Sequence, residues 1–337
     1  DLDSKSSAGI NMSILLWGRI CVSIDPWGKM VTFQTVPLAK PIIAILRDLR
    51  KTGRIAGNRR TAVRIINLME NTKGAEGCVW EHGLSFYIET KKHKLLADTG
   101  ASEAFLKNAV VLGIDLRRVD TVILSHGHYD HGGGLAAFAV LNPKAGIWMH
   151  RGAGEAYYHK TEQMEKYIGI SPEAGSLPGI EWVEGDRRID DELFLFGRVS
   201  GRRLWPEGNR ELMRKAGDVF RQDEFLHEQY LVVEENGKRV LVSGCAHNGI
   251  LNILDRYREI FGDMPEAVVS GFHMSRKSGY GERDLALIRE TARELKTLDT
   301  RFYTGHCTGE IPFQMMKEEM GEQLRYVHCG EEIRLPF

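Results

Sequence analysis

Cysteine is scarce in this chain: five residues in 337, Cys21, Cys78, Cys245, Cys307 and Cys329, odd in number and without a Cys-x-x-Cys pair. That spacing argues against a disulfide framework or a structural zinc finger and fits a reducing compartment. An excess of one charge sign is lacking too, since 45 Lys and Arg stand against 46 Asp and Glu, a formal net charge of −1. Such balance leaves no global field to draw the chain to nucleic acid or to an anionic membrane. No apolar run is long enough to span a bilayer. The most apolar early stretch, Ser13 to Trp27, is broken by Arg19 and Asp25 and has no small-residue cleavage site, so it does not read as a signal peptide. The expectation is a cytoplasmic protein with a small-molecule substrate and neither nucleic-acid nor membrane partners; nothing in the sequence addresses its oligomeric state.

What is present is apolar residue in quantity, 42% of the chain, enough for one large α/β domain with an extension. Residues 1–60 differ from the rest and read as an N-terminal extension and basic linker. Asp1–Gly9 is a polar tail. Apolar stretches at Ile14–Ile24 and Met30–Val36 flank a turn at Asp25-Pro26-Trp27-Gly28. Pro41–Leu49 reads as a short helix leading into Arg47, Arg50, Lys51, Arg54, Arg59 and Arg60, a basic run with no interleaved aromatics and so a solvated linker rather than a nucleic-acid arm. From residue 61 to 337 the pattern is that of a compact α/β domain. Strands are expected at Val63–Leu68, Leu84–Glu89, Lys94–Ala97, Asp120–Leu124, Gly146–His150, Gln229–Glu234, Arg239–Ser243, Ala267–Ser270 and Arg301–Thr304. Helices are expected at Glu103–Leu112, Gly132–Val140, Ile250–Phe261 and Asp284–Leu298. Sheets packed face to face with helices outside would satisfy this order. Residues 150–221 interrupt the two halves and read as a specificity insertion.

One segment carries the chemistry. Ser125-His-Gly-His-Tyr-Asp-His-Gly-Gly-Gly134 puts His126, His128, Asp130 and His131 directly after an apolar, β-branched strand. Imidazole and carboxylate are the donors expected for zinc, manganese or iron. On a loop, rather than at helical spacing, alternate side chains can converge on two neighbouring ions, and the glycines that follow allow a tight turn. Two later histidines, His247 in Val242-Ser-Gly-Cys-Ala-His-Asn-Gly249 and His306 in Tyr303-Thr-Gly-His-Cys-Thr-Gly-Glu310, also stand at strand ends among small residues.

The His-x-His-x-Asp-His pattern, with Asp98-Thr99-Gly100 one strand earlier, resembles the metallo-β-lactamase-fold superfamily. The resemblance implies an αββα sandwich with one or two divalent ions per chain, zinc first and manganese or iron as alternatives. His126, His128 and His247 would hold the first ion; Asp130, His131 and His306 the second. The usual bridging Gly-Asp is replaced here by Gly244-Cys245. Cys245 as a ligand, Cys245 as a small buried residue, and Asp223 with His227 nearby all stay open as its substitute. Glu81-His-Gly-Leu-Ser85, Gly271-Phe-His-Met274 and Gly305-His-Cys-Thr-Gly309 are similar to the branch holding 7,8-dihydropterin-6-methyl-4-(β-D-ribofuranosyl)aminobenzene-5′-phosphate synthase and related metal-dependent hydrolases.

A bound divalent ion lowers the pKa of its water towards about 7. The leading expectation is therefore a metal-dependent hydrolase using metal-bound hydroxide on a small phosphorylated or cyclic ester substrate. Asp130 would orient the nucleophile, and His273 would protonate a leaving group or bind a phosphate. The alternative is a dihydropterin-type transferase that releases pyrophosphate. A nuclease, a diiron oxidoreductase and a non-catalytic binding module rank lower. Aromatic and arginine residues of the insertion, Tyr157, Tyr158, Tyr167, Trp182, Arg202, Arg203 and Trp205, are candidates to stack on a substrate or to pack a lid.

Overall fold

The computed structural model describes residues 62–336, together with the backbone of three earlier strands: β1 (Ile14–Trp17), β2 (Ile20–Ile24) and β3 (Met30–Thr35). These three form an antiparallel meander, so the first apolar stretch holds two strands. The Asp1–Gly9 tail, the Asp25–Gly28 turn, the Pro41–Leu49 helix and the basic run from Arg47 to Arg60 lie outside the described residues. The chain divides into units Asp1–Asn58 and Arg59–Phe337.

The larger unit is built on two seven-stranded sheets. One runs in the order β11 (Ile180–Val183), β8 (Gly146–His150), β7 (Thr121–Ile123), β6 (Lys94–Ala97), β5 (Ser85–Glu89), β4 (Ala62–Met69) and β21 (Glu332–Pro336). The other runs β12 (Arg187–Arg188), β13 (Leu193–Phe196), β16 (Tyr230–Glu235), β17 (Lys238–Val242), β18 (Ala267–Val269), β19 (Arg301–Thr304) and β20 (Leu324–Tyr326). Their apolar residues explain the layering. Side chains alternate across a strand, so Val240 and Val242 of β17 turn inward onto Ile65, Ile88 and Leu95 of the facing sheet. Leu241, between them, turns outward onto the helices. Both kinds of position are buried, which is why these strands read as continuous apolar runs.

The outer layers are amphipathic helices. Phe105 and Ala109 of α1 (Ala104–Val111) pack with Leu96 and Val122 on one side, beside Leu135 and Phe138 of α3 (Leu135–Leu141). Between α1 and α3 lies a single turn, α2 (Tyr129–Gly132), where a continuous helix from Gly132 was expected. On the other side α4 (Ile250–Phe261), α5 (Glu282–Lys296) and α6 (Glu310–Met320) cover Leu241, Val268 and Phe302. Gly262 ends α4 in the left-handed conformation at φ 82°, and Asp284 starts α5 by accepting the Gly281 N–H at 2.9 Å. The result is the αββα sandwich expected from the sequence. Between the halves, β9 (Ala156–Lys160), β10 (Glu165–Tyr167), β14 (Leu212–Ala216) and β15 (Val219–Gln222) make a separate four-stranded sheet in the order β10-β9-β14-β15.

Strand direction positions the site. β6, β7 and β8 are parallel neighbours, as are β17, β18, β19 and β20. Loops at the carboxyl ends of parallel strands are where open α/β sheets bind ligands. Here those loops carry Asp98, the 125–131 cluster, His247, His273 and His306.

Candidate metal centre

The loops bring all six expected ligands into one buried cluster. One ligand atom from each of His126, His128 and His247 lies within 4.8 Å of the other two. Beside them, Asp130 Oδ2 is 3.4 Å from His306 Nε2 and 3.9 Å from His131 Nε2. The donors thus form two adjoining triads, His126, His128 and His247 and, around Asp130, His131 and His306, with His126 also within 4.8 Å of His131. Gly134 is needed for the close approach that follows the cluster: a Cβ there would stand 2.3 Å from the Thr99 carbonyl oxygen.

Four of the five imidazoles are fixed from behind. His126 Nδ1 meets Ser125 Oγ at 2.8 Å, His131 Nδ1 meets Asp98 Oδ2 at 2.7 Å, His247 Nδ1 meets Asn209 Oδ1 at 2.9 Å, and His306 Nδ1 meets Asn71 Oδ1 at 2.8 Å. The Asn209 amide NH₂ is already spent on the His247 carbonyl at 2.7 Å, and the Ser125 hydroxyl donates to Asp98 Oδ2 at 2.7 Å. Asn209 Oδ1 and Ser125 Oγ therefore accept, the protons of His126 and His247 sit on Nδ1, and Nε2 carries the free lone pair. This is how protein partners set the tautomer of a ligating histidine.

The Nε2 atoms of His126 and His247 are buried with no hydrogen-bond partner. An unsatisfied buried polar atom costs about 1–3 kcal/mol, and such atoms are rare. A divalent cation would satisfy both at once, and the nitrogen, carboxylate and sulfur donors suit zinc, iron or manganese. Electrostatics separates the two triads. Burial, reinforced by neighbouring imidazoles, holds His126 and His247 well below the usual histidine range and His128 at about 3. Burial also opposes charge on His131, but Asp98 and Asp130 beside it overcome that and hold it at about 9. Burial pushes the Cys245 thiol up.

Three buried carboxylates anchor the loop backbones. Asp98 accepts the Ser125 N–H at 2.7 Å, Glu228 accepts the His247 and Asn248 N–H groups at 2.7 and 2.9 Å, and Glu70 accepts the His306 N–H at 2.6 Å. Asn71, Asn209, Glu70 and Glu228 escaped the sequence reading, because a lone polar residue far along the chain carries no pattern. His82 escaped too, although it lies in the quoted Glu81-His-Gly-Leu-Ser85 phrase. It is half exposed, with Nε2 3.2 Å from Asp130 Oδ2, on the open side of the centre.

The remaining candidates divide. Asp223 and His227 are not free donors: His227 Nδ1 accepts the Gly127 N–H at 2.9 Å, and Nε2 meets Asp223 Oδ2 at 3.1 Å. They buttress the ligand loop from outside. His273 is partly exposed and its ring centre is 4.1 Å from that of His247. In the insertion, Tyr157 is buried, donates its hydroxyl to the Gly152 carbonyl and stacks on His227 at 4.0 Å. Phe225 stacks on His247 at 4.5 Å. Arg203 pairs with Glu294 and Asp255, and Arg202 with Glu224. Tyr167 and Trp182 remain exposed.

Comparison with known proteins agrees with this geometry. The profile of the Metallo-beta-lactamase superfamily matches residues 78–211. The chain is 30% identical over 300 residues to 7,8-dihydropterin-6-methyl-4-(beta-D-ribofuranosyl)-aminobenzene-5′-phosphate synthase of Methanocaldococcus jannaschii, covering 81% of this chain and 96% of that protein. An uncharacterized protein of the same organism, MJ0448, is 27% identical over 238 residues, 68% of this chain and 84% of its own length. Among solved structures, Tm1679, described as a metal-dependent hydrolase of the beta-lactamase superfamily, is 30% identical and superposes with a TM-score of 0.69, over 82% of this chain and all of that one. Sandwich, ligand loops and sequence identity over four-fifths of its length make this chain a member of the metallo-β-lactamase superfamily.

Proposed function

We propose that the chain is a metal-dependent hydrolase of a small phosphorylated or cyclic ester substrate. In this reading His126, His128 and His247 hold one divalent ion, zinc first, and Asp130, His131 and His306 hold the other. The observation that carries it is the pair of buried, partnerless Nε2 atoms of His126 and His247, set beside a carboxylate that three further histidines approach. Bound ions supply Lewis acidity and bring the pKa of water down to about 7.

The chain's own residues do the rest. Ser125, Asp98, Asn209 and Asn71 lock ring orientation, so little reorganisation accompanies reaction. Asp130 accepts at Oδ2 and orients the attacking water on the side where half-exposed His82 lies. His273, partly exposed beside His247, has a buried Nδ1 without a partner and can pass a proton to a departing oxygen. Tyr157, Phe225 and Trp205 keep bulk water from the floor of the site.

A second reading, a dihydropterin-type transferase that releases pyrophosphate, is favoured by the 30% identity that spans 96% of the synthase. One set of assays separates the two. Zinc-loaded protein turning over phosphodiester or lactone probes, with loss in Asp130→Ala, supports the hydrolase. Pyrophosphate release that requires both a pterin and an aminobenzene partner supports the transferase. Purified protein that takes up no transition metal defeats both.

A further inference from the structure

Cys245 occupies the ground between the two triads. It follows β17, is 3% exposed, and its Sγ is 3.2 Å from His131 Nε2. Its sulfur lies within 4.8 Å of donor atoms of His126 and His131, of His247 and His273, and of His306 and Cys307. It therefore adjoins the first triad through His126 and His247, and the second through His131 and His306. Cys307 differs although it is also buried. Its Sγ receives the His273 backbone N–H at 3.3 Å and faces the Cys245 carbonyl at 3.5 Å. Gly271 makes room for it, since a Cβ there would stand 2.4 Å from that sulfur. Cys307 also neighbours imidazole, with His306 within 4.8 Å and the His273 side chain beside it, but its sulfur takes a backbone N–H, whereas Cys245 lies against donors of both triads.

We propose that Cys245 is a sulfur ligand shared between the two ion positions. This rests on the two-ion reading above. On ligation the S–H bond breaks, a sulfur–metal bond forms, and the proton leaves to solvent. A soft thiolate favours zinc or iron over manganese or magnesium, so this centre selects its metal more narrowly than a carboxylate-bridged one.

Cobalt(II) reports the ligand directly, because thiolate coordination gives an intense near-ultraviolet charge-transfer band that nitrogen and oxygen donors do not. The protein is loaded with two equivalents of cobalt(II) as wild type, Cys245→Ser, Cys245→Asp and Cys307→Ser, with bound metal counted separately. The band is expected in wild type and Cys307→Ser and absent from both Cys245 variants. Cys245→Asp, which supplies a carboxylate in place of the sulfur, keeps two ions, while Cys245→Ser binds the second about tenfold more weakly or worse. Two bound ions with no band in wild type, or a band that survives Cys245→Ser, overturns the sulfur ligand and leaves the metal centre standing. Wild type that binds no cobalt overturns both.

Discussion

The unequal electrostatics of the two triads has a thermodynamic consequence that titration can read. In the metal-free chain His131 keeps its extra proton up to about 9, while His126, His128 and His247 are held below the ordinary histidine range and are neutral at pH 7. A ligating imidazole must give up the proton on the nitrogen it offers. Filling the first position at pH 7 therefore releases no imidazole proton, and filling the second releases one from His131. The sign follows: the second ion is penalised wherever His131 is protonated, below about 9, and the penalty disappears as the pH rises past that value. Two pH units make the cost at pH 7 about 3 kcal/mol, or about a hundredfold in affinity. Zinc titration calorimetry at pH 7, repeated in buffers of different ionisation enthalpy, counts the protons for each ion. Asp98→Asn is the control, because it removes the carboxylate that holds the His131 proton while leaving Cys245 in place. The count for the second ion is expected to fall by about one in that variant, and its affinity to flatten with pH. Release of two or more protons with the first ion, or an unchanged count in Asp98→Asn, would refute the reasoning.

Other perturbations test separate parts of the construction. Asn209→Ala removes the acceptor that orients His247 and should weaken the first ion about 10–100-fold, measured by competition with a chromophoric chelator; an unchanged affinity would show that the ring is held by packing alone. Gly127→Ala drives a Cβ to 2.2 Å from the Ala153 carbonyl oxygen, so overpacking should cost about 1–3 kcal/mol in urea denaturation, and a wild-type midpoint would contradict the close approach. Leu241→Ala empties a fully buried position between sheet and helices and should cost about 2–5 kcal/mol without altering metal stoichiometry, a pairing that separates core from centre.

How much of this was legible beforehand depended on distance along the chain. The His126 to His131 cluster announced itself because four ligands share six positions after a strand, Thr121–Ile123, that is buried throughout. His247 and His306 followed, since each ends an apolar parallel strand, and the bounds expected for Lys94–Ala97, Gly146–His150, Ile250–Phe261 and Arg301–Thr304 match the structure. The insertion's sheet was invisible because β10 is exposed throughout and β15 is largely so. Strands with so little buried surface lack the apolar alternation that marks them. Asp223 and His227 looked like spare ligands by residue type alone; only the Gly127 N–H, a hundred residues upstream, shows that their lone pairs are used. Asn71 and Glu70 act on His306 across 235 and 236 residues, a relation that exists only once β4 and β19 are in place.

Those long-range carboxylates also explain why the centre can persist in a strained form. Asp98, Ala246, His273 and His306 all have positive φ, between 49° and 63°, and together they make half of the eight non-glycine residues of that kind among the described residues. Each such conformation costs on the order of 1–3 kcal/mol unless its surroundings over-determine it. Around Ala246 and His306 the surroundings do so: Glu228 takes the N–H groups just after Ala246, and Glu70 takes the N–H of His306 itself. Asp98 is at once a strained residue and a clamp, accepting from Ser125 twice and from His131. Charge-assisted hydrogen bonds of about 1.5–3 kcal/mol each are of the size needed to offset that strain. The donors are thus held in place before any ion arrives, and an arriving ion has little folding to do. Removing Glu228 or Glu70 should therefore loosen the loop of His247 or of His306 alone and leave the opposite triad able to bind.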